Sequence, residues 1–546
     1  MIDDYREHPS GLPGACVAEL LCDRHDPASV AFTVRGRDGL SADLTYGELH
    51  DRSARLASGL ASLGVGRGDH VATLMSKGLD LVTTLLAVWR LGAVYLPLFT
   101  AFGPGAVGDR LRRANVRVVV CDEHERHKLE PGTELGGRPS WRVVNTGGTL
   151  CDGDVRFADL LHGPPTTAPV AVGPDGPMIV LFTSGTTGRP KEVQVPVRAL
   201  ASFECYLTYG LGVTGDDVYW NVADPGWAYG LYNAVVAPLL VGRRSVLVAS
   251  KFTVEETWRV LAEYGVTNLA ATPTVFRALR ASGRPGGDLA LRRVSSAGEP
   301  LNPDVVEWSR REFGTAIRDH YGQTELGMVL GNHHHPAVSR EIRPGSMGQE
   351  LPGWTAAVLA EDRDEVVGPD QIGRLVIDVR ASPLMWFEGY RNDPRATAER
   401  FSRDRRWYVT GDLARRDGDG YFHFSSRDDD VIIMAGYRIG PFDVESVLLN
   451  HPAVVEAACV STADDLRGEV IEAFVVLRTA VEPSAELVNH LQGLVRNQYG
   501  AHAYPRRVHF VDELPKTESG KIQRAALRMR AAEQQPVPAD SASRRS

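Results

Sequence analysis

Short apolar runs alternate with amphipathic segments along the first half of the chain, and that alternation leaves few folds open. Val71 to Met75, Ala93 to Leu96 and Val116 to Cys121 read as buried strands, and the Leu81 region as a helix. Another helix is expected within residues 45 to 66. Its apolar positions are Leu56, Leu60 and Leu63, Thr45 and Glu48 form a capping-box pair, and Gly64 and Gly66 end it. The pattern resumes with Ser245 to Val248 as strand, Val254 to Tyr264 as helix and Asn268 to Ala271 as strand. Apolar strands joined by amphipathic helices predict an α/β fold whose parallel sheet carries helices on both faces. Residues 131 to 177 are rich in Gly, Pro and Thr, which predicts a surface excursion.

A chain of 546 residues has room for two to four domains. Composition shifts near Asp428-Asp429-Asp430. Beyond it a smaller unit is expected to about residue 530, with Glu445 to Leu449 and Glu486 to Tyr499 helical and Val454 to Val460 and Ile471 to Leu477 extended. Ala531 to Ser546 is polar and Pro/Ser/Gln-rich, the composition of a disordered tail. A net charge of −9 argues against a general nucleic-acid or anionic-membrane binder, so any anion must be held by a local site. Six scattered cysteines without a C-x-x-C pair predict reduced thiols and a cytoplasmic protein. Met1 to Glu7 lacks the features of a signal peptide, and the Leu81 to Phe99 segment is broken by Arg90, Gly92 and Pro97, so no membrane span is expected.

The apolar run Met178 to Phe182 leads into Thr183-Ser184-Gly185-Thr186-Thr187-Gly188-Arg189-Pro190-Lys191. A backbone without side-chain bulk can fold its N–H groups around an anion, with hydroxyls and basic side chains adding donors and charge. That combination suits a triphosphate. It is not the common P-loop, because a proline precedes the lysine and no Ser/Thr follows it to hold magnesium. A metal ligand must come from elsewhere. Three further clusters make sense beside a nucleotide: Ser296-Ala297-Gly298-Glu299-Pro300, His320-Tyr321-Gly322-Gln323-Thr324-Glu325, and Tyr408-Val409-Thr410-Gly411-Asp412.

With these motifs, and with Gly436-Tyr437-Arg438-Ile439-Gly440-Pro441 and the stretch from Leu514 through Lys521 to Arg524, residues 25 to 530 resemble the adenylate-forming superfamily. The resemblance is closest to the medium-chain acyl-CoA synthetases and their acetyl-CoA synthetase relatives. It implies a large N-terminal domain of doubly wound sheets plus a β-subdomain (1–427), a hinge (428–430), a small mobile α+β domain (431–530) and a tail. It further implies a two-step ligase reaction. A carboxylic acid attacks the α-phosphorus of MgATP to give an acyl-adenylate and pyrophosphate, and the thiol of coenzyme A then displaces AMP.

By this resemblance, Thr183, Ser184, Gly185, Thr186, Thr187, Gly188 and Lys191 cradle the β- and γ-phosphates. Glu325 holds the magnesium and Thr324 contacts the α-phosphate. Gly298, Glu299 and Pro300 line the adenine slot with His320, Tyr321, Gly322 and Gln323, and Tyr321 stacks on the base. Asp412 and Arg427 hold the ribose, and Lys521 is the catalytic lysine that bridges the two reacting anions. Asp429 is the hinge, and Gly436, Tyr437 and Arg438 serve coenzyme A. A carrier protein acting in trans is the alternative acceptor, and a degenerate nucleotide-binding protein is the reading from another class. Monomer and dimer both stay open.

The acyl pocket is expected from Trp227, Ala228, Tyr229, Ala297, Gly322 and Met328. Acetate-specific relatives carry tryptophan where this chain has Gly322, so an open pocket floor and an acid larger than acetate are expected. Trp227 is read either as a gate or as core packing. Glu192 to Val197 departs from the family pattern and carries no substrate contacts over. His333-His334-His335 is read as a polar loop near the pocket mouth rather than a metal site, because adjacent imidazoles diverge.

Overall fold

The computed structural model describes residues 8–132, 135, 140–166, 168–183, 190–284, 287–343, 345–434, 437–464, 468–479, 481–500, 503–516 and 522–533. The chain divides into two compact units. The first comprises residues 1–371, 375–410 and 416–423, and the second 372–374, 411–415 and 424–546.

The first unit contains two large sheets. In the seven-stranded sheet the order is Val155–Arg156, Arg142–Asn145, Val116–Cys121, His70–Leu74, Val94–Pro97, Pro177–Thr183 and Lys191–Pro196. All neighbours run parallel except the last pair, which is antiparallel and sets Thr183 opposite Lys191. The stretch expected as a surface excursion therefore adds two strands to the sheet. Val143 and Val144 are buried, and their packing outweighs the turn-rich composition around them. The expected capping box is present on the helix Tyr46–Ser62, and its apolar face buries Leu49, Leu56 and Leu60.

The nine-stranded sheet has at its centre the parallel strands Tyr219–Asn221, Asn268–Ala271, Arg293–Ala297 and Ile317–Gln323. Trp258, Phe276 and Trp308 pack with these strands in one apolar cluster. Gly327–Gly331 then turns back antiparallel to Ile317–Gln323. Open α/β sheets place ligands beyond the carboxyl ends of their strands. Here those ends lead into Gly298-Glu299-Pro300 and Thr324-Glu325. A four-stranded sheet, ordered Ala356–Leu359, Ile372–Asp378, Trp407–Arg416, Phe422–Arg427, follows in the chain.

The second unit holds a five-stranded sheet built on the long antiparallel pair Val454–Asp464 and Gly468–Leu477. The helices Pro441–Leu449 and Ala485–Gln498 supply Val444, Leu448, Leu491 and Val495 to its core. Among the described residues no helix is long and apolar enough to cross a membrane. The six cysteines are free thiols, and only Cys151 is exposed.

Candidate active site

The strand Pro177–Thr183 delivers the hydroxyl- and glycine-rich loop, and Lys191 opens the returning strand. Ser184, Gly185, Thr186, Thr187, Gly188 and Arg189 lie outside the described residues, as do Gly436 and Lys521. The structure thus fixes the two ends of the loop. Lys191 Nζ lies 5.0 Å from the centre of the Tyr390 ring, a cation–π contact.

Tyr390 belongs to a second feature that its sequence did not flag. Its hydroxyl donates to Glu325 Oε1 at 2.6 Å and accepts from Arg400 Nε at 3.1 Å. Burial raises the Tyr390 pKa, and the neighbouring Glu325 carboxylate raises it further, so the phenol keeps its proton and can donate. Arg400 also donates to the carbonyls of Val409 and Thr410. Glu325 is buried on the turn between Ile317–Gln323 and Gly327–Gly331. Gln323 is fixed beside it, accepting from the Tyr408 hydroxyl at 3.0 Å and donating to the Thr410 carbonyl at 3.0 Å and the Tyr321 hydroxyl at 3.2 Å. Nothing in the sequence pairs Glu325 with residues more than sixty positions away. Only the fold does so.

Thr324 lines a small cavity with Pro97, Phe102, Arg110, Leu181, Phe182, Gly226, Trp227 and Ala228. Trp227 packs against Phe99 and Phe102 at centroid distances of 5.2 and 5.6 Å, so it is a packing residue and a cavity wall at once. Two of the six expected acyl-pocket residues, Trp227 and Ala228, meet at this cavity. Ala297 is fully buried and Met328 nearly so.

The open floor expected at Gly322 is not there. A Cβ on Gly322 would stand 2.1 Å from the Gly327 carbonyl oxygen and 2.7 Å from both Met328 Cα and Sδ. The hairpin register sets Gly322 opposite Met328 next to a bulge, and the backbone of Gly327 and the Met328 side chain fill the space. Glycine is required here by close backbone approach.

Gly298 differs. Its φ is +95°, and nothing lies within 4 Å of where a Cβ would be, so its backbone faces open space at the strand end. The next residue, Glu299, is tied down by the Thr274 hydroxyl at 2.8 Å and by Arg277 at 2.5 Å. In the second unit Asp412 is buried, and its Oδ1 lies 3.2 Å from Arg427 Nη1. The two residues expected on the ribose therefore meet as an ion pair. At the expected hinge, residues 428–430 form one 3₁₀ turn, and Asp430 accepts from Arg528 at 2.6 Å.

The histidine run is a loop, as expected, and it is partly enclosed. His333 is buried and its Nε2 donates to the Glu350 carbonyl at 3.1 Å, while His334 Nε2 meets Ser295 Oγ at 3.1 Å. Burial pushes the His333 pKa down to about 4 and holds His334 well below the usual imidazole range. His320, also buried, is pushed down to about 3 by the same cause, with further unfavourable charge from His333. Among the described residues no group of three or more His, Cys, Asp or Glu could hold a metal ion.

The AMP-binding enzyme family matches residues 23–390, and the AMP-binding enzyme C-terminal domain matches residues 443–521. The acetyl-coenzyme A synthetase of Bacillus subtilis (strain 168) is 35% identical over 490 residues, which cover 89% of this chain and 84% of that protein. The crystal structure of an acyl-CoA synthetase from Brucella canis is 43% identical, with a TM-score of 0.74 and 96% of both chains covered. That of a benzoate CoA ligase from Burkholderia xenovorans LB400 is 28% identical, with a TM-score of 0.83, covering 94% of this chain and all of the other. The chain belongs to the AMP-binding enzyme family, the adenylate-forming superfamily that its motifs resemble.

Proposed function

We propose that the protein is an ATP-dependent, AMP-forming acid–CoA ligase acting on a carboxylic acid larger than acetate. The observation that carries this reading is a juxtaposition within the first unit. A small cavity lined by Trp227, Ala228 and Phe182 adjoins Thr324, and the next residue is the buried Glu325. A cavity walled by aromatic rings and floored by Thr324 thus sits one residue from a buried carboxylate for the phosphate side.

Magnesium takes oxygen ligands and is commonly held by one or two carboxylates plus substrate phosphates. Glu325 fits, because Tyr390 occupies Oε1 and, among the described residues, Oε2 has no hydrogen-bond partner. The bound ion would neutralise phosphate charge. Lys191 and the loop before it would hold the β- and γ-phosphates, Gly298 to Pro300 and Tyr321 the adenine, and Asp412 with Arg427 the ribose. Lys521 would draw the substrate carboxylate to the α-phosphate. Two like charges ~4 Å apart repel by roughly 4 kcal/mol at an effective dielectric of 20, so a cation between them is a direct contribution to rate. Asp429 would be the hinge that exchanges Lys521 for Gly436, Tyr437 and Arg438 at the site before coenzyme A reacts.

The test is a panel of acids, from acetate to dodecanoate and including benzoates, read for pyrophosphate release and for thioester with and without coenzyme A. Lys521→Ala is the control and should lose at least a hundredfold in adenylation. Pyrophosphate plus acyl-CoA from a longer or aromatic acid, with acetate poor, is the expected result. Pyrophosphate without acyl-CoA would transfer the second step to a carrier protein. Tight ATP binding without turnover of any acid would overturn the ligase reading.

A further inference from the structure

Tyr390 touches both side chains to which the proposed reaction gives the triphosphate and its metal. On one side the Lys191 ammonium stands over its ring, with Nζ 5.0 Å from the ring centre. On the other its hydroxyl donates to Glu325 Oε1 at 2.6 Å. Arg400 Nε donates to the same hydroxyl oxygen at 3.1 Å, which leaves the single phenol proton to the carboxylate.

The seat of this ring is built by strand pairing. Tyr390 bridges antiparallel to Val193 on the strand that Lys191 opens, and the Arg391 N–H donates to the Glu192 carbonyl at 2.9 Å. Side chains alternate along a strand, so Lys191 and Glu192 point to opposite faces. The buried Glu192 carboxylate pairs with Arg391 at 2.8 Å, and Lys191 is left to the ring. Tyr390 is itself buried. Its N–H donates to Thr397 Oγ1 at 2.9 Å, and Phe387 stands edge-on to its ring at 5.1 Å.

We infer that Tyr390 is a positioning residue shared by the phosphate-holding lysine and the magnesium-holding carboxylate: its ring aims the Lys191 ammonium, and its hydroxyl fixes Glu325 Oε1 and leaves Oε2 for the ion. This rests on the reading above, in which Lys191 faces the phosphates and Glu325 the metal. A ring face orients an ammonium without cancelling its charge, as a carboxylate partner would. The hydroxyl likewise fixes the carboxylate without neutralising it. It also stands between Arg400 and Glu325, so the guanidinium does not take the oxygen that a dication needs.

The experiment measures equilibrium binding of ATP in the absence of acid, once with EDTA and once with saturating Mg2+. The ratio of the two affinities is the metal's contribution. A dissociation constant does not depend on the fraction of protein folded. Tyr390→Phe keeps the ring, so it should leave the metal-free affinity within about twofold and cut the metal's contribution about tenfold. Tyr390→Leu removes ring and hydroxyl together, so it should also weaken metal-free binding about threefold. Each loss should vanish where the partner is already gone. Tyr390→Leu should add nothing to the metal-free affinity of Lys191→Met, and Tyr390→Phe nothing to the metal's contribution in Glu325→Gln. A merely structural tyrosine would weaken binding in every background. An unchanged metal contribution in Tyr390→Phe, or losses that persist in the Lys191→Met and Glu325→Gln backgrounds, would overturn the inference while leaving the ligase reading intact. No metal contribution in the wild type would instead sink the role given to Glu325, and this inference with it.

Discussion

His320 and Glu325 stand five residues apart on one hairpin, and the fold treats them in opposite ways. His320 is enclosed by neutral partners, a tyrosine hydroxyl and a backbone carbonyl, and burial keeps its imidazole unprotonated. Glu325 is also buried, yet Tyr390 donates to one oxygen and Arg400 stands behind that tyrosine. The lesson is that one strand and its turn can serve a dry, neutral surface at one end and a charged one at the other. Environment decides which, because the same burial disfavours the charged form of a lone group and tolerates a hydrogen-bonded one.

The contrast can be broken most sharply at its charged end. Arg400→Met removes the cation and takes its donor from the Tyr390 hydroxyl oxygen and the Val409 carbonyl, while the Thr410 carbonyl keeps Gln323. Loss of one partner from such a buried set should cost about 3 kcal/mol in urea unfolding. A loss under 1 kcal/mol would mean that Glu325 is held by something else. Next comes Gly322→Ala, which forces a Cβ against the Gly327 carbonyl and should cost about 1–3 kcal/mol. For the same reason Gly322→Trp should misfold rather than shift preference toward acetate. A well-folded, acetate-selective tryptophan variant would restore the open floor.

The neutral end is tested by acid. Folded-state pKa values of about 3 for His320 and about 4 for His333 lie below the ordinary 6.5, so both rings are neutral in the fold and free to protonate in the unfolded chain. Their contribution is complete above pH 6.5 and is lost as pH falls through the window toward 4 and then 3. Each should add up to ~1.4 kcal/mol of lost stability per pH unit within it. His333→Gln should flatten the pH dependence of unfolding free energy by about one proton, and an unchanged slope would contradict the burial argument. The smallest effect is expected from Tyr390→Phe, which removes one hydrogen bond to a charged group and should cost about 1.5 kcal/mol.

Much of the scaffold was legible beforehand. Val116–Cys121, Ser245–Val248 and Asn268–Ala271 stand where mostly apolar runs predicted strands, because strands buried at nearly every position keep few polar residues to disguise them. The capping box at Thr45 is local chemistry and reads directly. Residues 142–145 escaped notice, because four strand residues inside a glycine- and proline-rich stretch carry too little pattern. The histidine run reads as a polar loop and is one, but only the neighbouring strands supply the carbonyls and hydroxyl that make the burial of His333 tolerable.

The sequence by itself determined the family, the alternation that builds the sheets and the order of the nucleotide motifs, since these are properties of short stretches. Tertiary structure decided what lies between the stretches. It put Tyr390, backed by Arg400, on Glu325, seated His320 between the Tyr206 hydroxyl and the Asn332 carbonyl, and filled the space beside Gly322 with Met328. The Glu325 and Tyr206 contacts bring groups far apart in sequence within a few ångströms, and the Gly322 contact depends on the bulged register of its hairpin. Packing and hydrogen-bond geometry set such distances, and no local pattern encodes them.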